Sequence, residues 1–105
     1  MITIYRYEIP ITQSLLLGKT NHVLELPFRF ILLSVISQKC RPGVISVYCA
    51  VDTDERRTIP VSFYVLGTGL NFTEVFDKIG GCFTFLSTVE TPADEIYHVF
   101  TTFRK

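Results

Sequence analysis

Short β-forming runs alternate with chain-breaking residues along nearly the whole sequence, and this alternation limits the possible folds more than any other feature. Valine, isoleucine, threonine and aromatic residues dominate the runs, while proline, glycine, asparagine or aspartate separate them. Within one run, Ile45, Val47, Cys49 and Val51 occupy every second position and are predicted to face the core. The pattern predicts strands at residues 2–9, 22–26, 30–38, 44–51, 59–66, 82–89 and 95–103.

One segment has helical rather than strand spacing. Asn71 stands at an N-cap position, and Glu74 follows three residues later, as in a capping box. Two consecutive glycines at 80 and 81 provide a C-terminal stop. We predict a short helix over residues 71–79 whose apolar face packs on a sheet and consists of Phe72, Val75, Phe76 and Ile79.

The predicted fold class is therefore α+β and mainly antiparallel β. It has about six to seven short strands in a bent sheet or small sandwich, with one short helix. A chain of 105 residues with 48% hydrophobic residues is expected to form a single compact domain, residues 1–105. The run 30–38 is apolar on both faces, which predicts a central strand, and strands 30–38, 44–51 and 59–66 are expected to form an antiparallel meander. Residues 13–21 are predicted to be a loop.

Charge and cysteine content narrow the functional classes. Ten basic residues balance ten acidic ones, which argues against nucleic acid as a direct ligand and against a polybasic membrane anchor. The N-terminus lacks the layout of a signal peptide, and no apolar run is long enough to span a bilayer, so we expect a cytoplasmic protein without a membrane partner. Three cysteines without CxxC spacing and two histidines make a zinc site improbable, and we expect neither a metal nor a cofactor.

Three features could carry catalysis or ligand binding, and each has a simpler explanation. Gly67-Thr68-Gly69 lacks the rest of a phosphate-binding motif and is interpreted as a strand-to-helix turn. Asp52, Asp54 and Glu55 could bind a cation, but two arginines follow them, which favours a solvated hairpin loop. His98 has no flanking signature of a Cys–His enzyme and is interpreted as a packed or hydrogen-bonded histidine. We therefore expect no catalytic residue and no enzymatic activity.

Binding through a surface remains the favoured class. Most of the fourteen aromatic residues are expected in the core, whereas some tyrosines alternate away from apolar neighbours and could lie in a protein interface. Arginines in turns between strands could contribute further contacts. The candidate binding residues are Tyr5, Tyr7, Arg41, Arg56, Arg57 and Tyr64.

Five short motifs occur in order along the chain. They are Ile4-Tyr5-Arg6-Tyr7-Glu8-Ile9-Pro10, Leu24-Glu25-Leu26-Pro27, Ala50-Val51-Asp52, Gly67-Thr68-Gly69 and Tyr97-His98-Val99-Phe100. Their order and spacing resemble those of a family of small proteins of unknown function encoded by bacteriophages and prophages. The resemblance implies a phage origin and the cytoplasm of a bacterial host, and it implies no catalytic residues.

Two hypotheses follow. The first is a non-enzymatic binding protein that acts on a host protein or complex by steric occupation of its surface, as in host takeover or an anti-CRISPR-like counter-defence inhibitor. The alternative is a self-associating structural or virion-accessory protein, for which zero net charge and several edge strands are favourable and a homodimer is the simplest product.

Overall fold

A computed structural model describes residues 1–16, 20–69, 71–79 and 83–102 of the chain. Seven strands and two short helices lie in these ranges. In chain order they are β1 (Ile2–Pro10), α1 (Gln13–Leu16), β2 (His22–Pro27), β3 (Ile31–Ile36), β4 (Val44–Asp52), β5 (Thr58–Gly67), α2 (Thr73–Ile79), β6 (Thr84–Glu90) and β7 (Ile96–Thr101).

The strands form two sheets, and every pairing is antiparallel. The three-stranded sheet has the order β1-β4-β3, and the four-stranded sheet has the order β2-β5-β7-β6. The mainly antiparallel fold with seven strands and the predicted short helix is thus confirmed for the described ranges. Predicted strand ends at Cys82 and Phe103 lie outside the described residues.

The alternation of apolar residues along β4 correctly predicts which of its side chains face the core. Ile45, Val47 and Cys49 are fully buried, and Val51 is nearly so. They belong to one hydrophobic cluster that also contains residues of the other sheet, among them Phe63 of β5. Because residues of both sheets share this cluster, burial of alternating strand faces provides the main driving force for folding.

The pairing of the strands differs from the predicted meander. β3 lies at the edge of its sheet and not at the centre, and β4 does not pair with β5, because these two strands belong to different sheets. Although β3 is apolar on both faces, only one of its faces is buried, since Ile31 and Leu33 are about half exposed. The β3–β4 register also shifts between Leu32 and Ser34, as at a β-bulge.

Part of the predicted loop 13–21 is helical instead. In α1, the Leu16 N–H donates to the Thr12 carbonyl at 3.0 Å, and the Leu15 N–H donates to the Thr12 hydroxyl at 3.2 Å. Threonine thus caps a single turn. Leu15 is buried in the hydrophobic cluster, which gives this turn a tertiary contact that propensity alone does not predict.

Helix α2 begins close to the predicted position. The Asn71 side-chain oxygen accepts the Thr73 N–H at 3.1 Å and the Thr73 hydroxyl at 2.7 Å. Val75 is buried, and Phe76 contacts Phe100 of β7, so the helix packs on the four-stranded sheet as predicted. The predicted glycine stop at 80 and 81 lies outside the described residues.

The turn before β4 depends on one glycine. Gly43 has φ of 81°, the value that a type II turn requires after Pro42. We expect Gly43→Ala to destabilise the protein by about 1–2 kcal/mol, because a Cβ in the left-handed region is strained even where space is free. Denaturant unfolding measures this loss. Gly43→Asn is the control and should lose less, and an equal loss in both variants would contradict the backbone explanation.

Candidate functional site

Five aromatic rings cluster on the four-stranded sheet, on the side where α2 packs. We call this cluster the aromatic face. Tyr64 of β5, Phe85 of β6 and Phe100 of β7 face one another in the strand register. Phe85 is 55% exposed and Phe76 is 41% exposed. The members of the aromatic face are Tyr64, Phe76, Phe83, Phe85 and Phe100.

Phe100 lies at the centre of the aromatic face. Its ring centroid is 5.4 Å from that of Phe85, 5.5 Å from that of Phe83 and 6.2 Å from that of Phe76. All three contacts have steeply inclined rings, the edge-to-face geometry that aromatic pairs prefer. Tyr64 joins the cluster through Phe83 at 5.8 Å. The ring contacts hold these side chains together although part of their surface remains exposed.

The alternation of β7 explains why Phe100 points away from the core. Tyr97, Val99 and Thr101 are buried on one face, so the residues between them must point to the other face. The expectation that most aromatic residues lie in the core was wrong. Among the described residues, those in the buried class are Phe30, Phe63 and Tyr97.

The structure separates the predicted binding residues. Tyr64 belongs to the aromatic face, whereas Tyr5 and Tyr7 lie on β1 of the other sheet, opposite Cys49 and Val47. Tyr7 packs against the hydrophobic cluster, and burial raises the pKa of its hydroxyl, while Tyr5 is 47% exposed. Tyr64, which is half-buried, is therefore the member of the predicted set that the structure places in one cluster with the exposed Phe76 and Phe85.

The three candidate arginines lie at opposite ends of β4. Arg41, before the strand, contacts the Glu8 carboxylate at 3.4 Å. Arg56 and Arg57 follow the strand, and Arg57 pairs with Glu55 at 3.1 Å and lies 4.4 Å from the centroid of the Phe28 ring. The hydrogen bond and charge of Arg57 lower the pKa of Glu55. These cations do not form one patch.

The acidic loop after β4 binds the chain's own N-terminus. The Met1 ammonium group is 2.9 Å from Asp54 and 3.4 Å from Asp52. The backbone N–H of Asp54, together with this ammonium group, lowers the pKa of Asp52. No group of three or more histidine, cysteine or acidic residues among the described positions has the arrangement of a metal site.

Both ring nitrogens of His98 form hydrogen bonds with threonine hydroxyls. Its Nε2 is 2.8 Å from the Thr68 hydroxyl, and its Nδ1 is 3.0 Å from the Thr88 hydroxyl. The histidine joins the end of β5 to β6, which agrees with its interpretation as a hydrogen-bonded residue of the sheet. Cys49 is buried and Cys40 is exposed, and Cys82 lies outside the described residues.

The lining of an open cleft of about 510 Å³ includes Thr68, whose hydroxyl forms a hydrogen bond with His98. At its wall, the Tyr97 hydroxyl donates a hydrogen bond to the Glu95 carboxylate. Burial of the phenol, together with this carboxylate, raises the pKa of Tyr97 to about 12. The cleft is lined by Gln13, Leu16, Gly67, Thr68, Asp94, Glu95, Ile96 and Tyr97.

A family model described as "Domain of unknown function (DUF7352)" matches residues 1–105. The chain belongs to this DUF7352 family. The match covers the whole chain, and it confirms the predicted membership of a family of unknown function. No curated protein and no solved structure matches the chain. In the DUF7352 chain, none of the described helices is long and apolar enough to cross a membrane.

Proposed function

We propose that this chain is a small non-enzymatic binding protein that occupies a surface of a partner protein with its aromatic face. The observation that carries the proposal is the clustering of five aromatic rings at one place on the four-stranded sheet, with Phe76 and Phe85 exposed. Aromatic residues are enriched at the centres of protein interfaces, where they supply most of the binding free energy. Rings already held by mutual contacts lose little conformational entropy on binding.

The arrangement of the sheets supports this proposal. We interpret the two sheets as a small sandwich, since residues of both share one hydrophobic cluster. In a sandwich, the inner sheet faces form the core and the outer faces remain available. The aromatic face is on the side of β7 opposite the buried Val99, which makes it an outer face.

The proposed partner is a host protein or complex, and the proposed setting is the cytoplasm of a bacterium infected by a phage. The support for this part is the motif resemblance to phage and prophage proteins. A small protein that covers a functional surface can block it by steric exclusion alone, which fits host takeover or a counter-defence inhibitor. Neither mechanism requires a catalytic residue, a metal or a cofactor.

Affinity capture with matched variants tests the proposal. The tagged wild-type chain should capture a stoichiometric protein from host lysate, and Phe85→Glu should lose it, because a charge would be desolvated at the centre of the interface. Ile31→Glu is the control, since Ile31 is equally exposed (55%) but belongs to the other sheet. Capture that survives Phe85→Glu, or that Ile31→Glu removes, would contradict the aromatic face as the binding surface.

A second candidate function, a self-associating structural or virion-accessory protein, has its own supporting observation. Ile4, Ala50 and Ile31 form one cross-strand row on the three-stranded sheet, and both isoleucines are exposed. Exposed apolar rows favour association. Light scattering distinguishes the two functions. Under this alternative, the wild-type chain assembles into large particles and Ile31→Glu abolishes them. Under the first proposal, the wild-type chain forms no large particles at any measurable concentration.

A further inference from the structure

Strand β1 is a long edge strand with one free side. It has nine residues and pairs with β4 over its whole length without a register shift. Within the described ranges, no second strand pairs with β1. An unpaired edge of this length presents a row of backbone donors and acceptors, a template on which a strand of another chain can pair.

The hydrogen bonds at the two ends of β1 show which residues point to the free side. The Thr53 N–H donates to the Met1 carbonyl at 2.9 Å, and the Ile11 N–H donates to the Gly43 carbonyl at 2.9 Å. Both bonds continue the β1–β4 register. Since backbone groups alternate in direction along a strand, odd-numbered residues bond to β4 and even-numbered residues face outward. The outward backbone groups belong to Ile2, Ile4, Arg6, Glu8 and Pro10, of which Pro10 has no N–H.

The side chains of this edge carry complementary charges. Arg6 and Glu8 lie on the same face of β1, and Arg6 Nη1 is 2.7 Å from Glu8 Oε1. Arg41 contacts the same Glu8 carboxylate. If a second copy pairs antiparallel about a twofold axis at Tyr7, each Arg6 lies opposite Glu8 of the second copy. Axes at Arg6 or Glu8 would place like charges opposite each other, which is unfavourable, and an axis at Tyr5 would pair Arg6 with Ile4.

We propose that a second copy of this chain docks on the free edge of β1, with the twofold axis at Tyr7 and two Arg6–Glu8 pairs across the junction. The two three-stranded sheets then form one continuous six-stranded sheet. The dimer is closed and uses the same residues twice, the usual form of a symmetric dimer. This inference goes beyond the proposed function, because it concerns how two copies of the chain assemble. The dimer leaves the aromatic face out of the junction, since β1 and the aromatic face belong to different sheets.

Charge exchange tests the dimer. Sedimentation velocity should show a concentration-dependent dimer for the full chain, and Arg6→Glu and Glu8→Arg should each weaken it by about tenfold or more, because both pairs become repulsive. The double variant carrying both substitutions restores opposite charges and should recover most of the affinity. A wild-type chain that remains monomeric at every concentration, or a double variant as weak as the singles, would overturn the proposal.

Disulfide trapping tests the register. Two Tyr7→Cys copies at the axis would have Cα atoms about 4.5 Å apart, within the range of a disulfide. Oxidation should therefore cross-link this variant in a background with Cys40→Ser, Cys49→Ala and Cys82→Ser. Cys49 is replaced as well because it lies opposite Tyr5 on β4 and would pair within one chain with a cysteine introduced there. Tyr5→Cys is the matched control, since the proposed register separates its two copies by four residues, about 13 Å. Cross-linking of Tyr5→Cys and not of Tyr7→Cys would overturn the register. Circular dichroism of each variant confirms that it is folded, and the charge exchange tests the junction independently.

Discussion

Phe63→Ala is expected to cost about 3–5 kcal/mol of the free energy of unfolding, the usual loss for a buried phenylalanine. Phe63 is fully buried and belongs to the cluster that contains residues of both sheets. Its removal takes away apolar burial and leaves a cavity that strands held by ladder hydrogen bonds cannot fill. For a domain with a total stability of about 5–15 kcal/mol, this loss is a large share of the stability, and at the lower end of that range the variant would be close to unfolding.

Urea unfolding of Phe63→Ala and Phe85→Ala provides the comparison. Phe85 has the same side chain but is 55% exposed, so its replacement should cost about 1 kcal/mol or less. A large difference between the variants shows that the core lies at Phe63 and that the aromatic face contributes little to stability. Equal losses in the two variants would contradict the separation of core and surface described above.

The second large effect is a loss of stability at alkaline pH. Burial raises the pKa of the Cys49 thiol from 9.0 to about 11. Between these pH values the unfolded chain releases a proton that the native chain keeps, so stability is fully present below pH 9 and falls as the pH rises toward 11. A difference of two pKa units corresponds to about 2–3 kcal/mol. The raised pKa of Tyr97, about 12, extends the loss to higher pH.

Denaturant unfolding across this pH range measures the effect. Cys49→Ala removes the titrating thiol and should have a flatter stability profile between pH 9 and 11, although it is less stable at neutral pH. Cys40→Ala is the control, since Cys40 is exposed and its removal should leave the alkaline loss unchanged. If the free energy of unfolding falls equally in Cys49→Ala and in the wild type between pH 9 and 11, the Cys49 thiol is not the source of the alkaline loss.

The faces of the strands could be predicted from the sequence, whereas their partners could not. In β4 and β7, apolar residues at every second position correctly indicate the buried face, because the side chains of a strand alternate. Pairing depends on contacts between residues far apart in sequence, which periodicity does not report. The apolar residues of β3 therefore predicted a central strand, although Ile31 and Leu33 are exposed at an edge.

The aromatic face was partly predictable for a related reason. Tyr64 was a candidate because it alternates with the buried Phe63 and Val65, and the same argument applies to Phe100 beside Val99. Hydrophobicity alone, however, places phenylalanines in the core. The contact between Phe76 of α2 and Phe100 of β7 joins residues 24 positions apart, and it depends on where the helix packs on the sheet.

Calorimetric titration of the captured partner with the purified chain tests most directly whether the aromatic face binds it. Phe85→Ala should weaken binding by at least about tenfold, as expected of an aromatic residue at the centre of an interface. Ile31→Ala, on the other sheet, should bind like the wild type. Wild-type affinity in Phe85→Ala would contradict the central claim that this protein acts through its aromatic face.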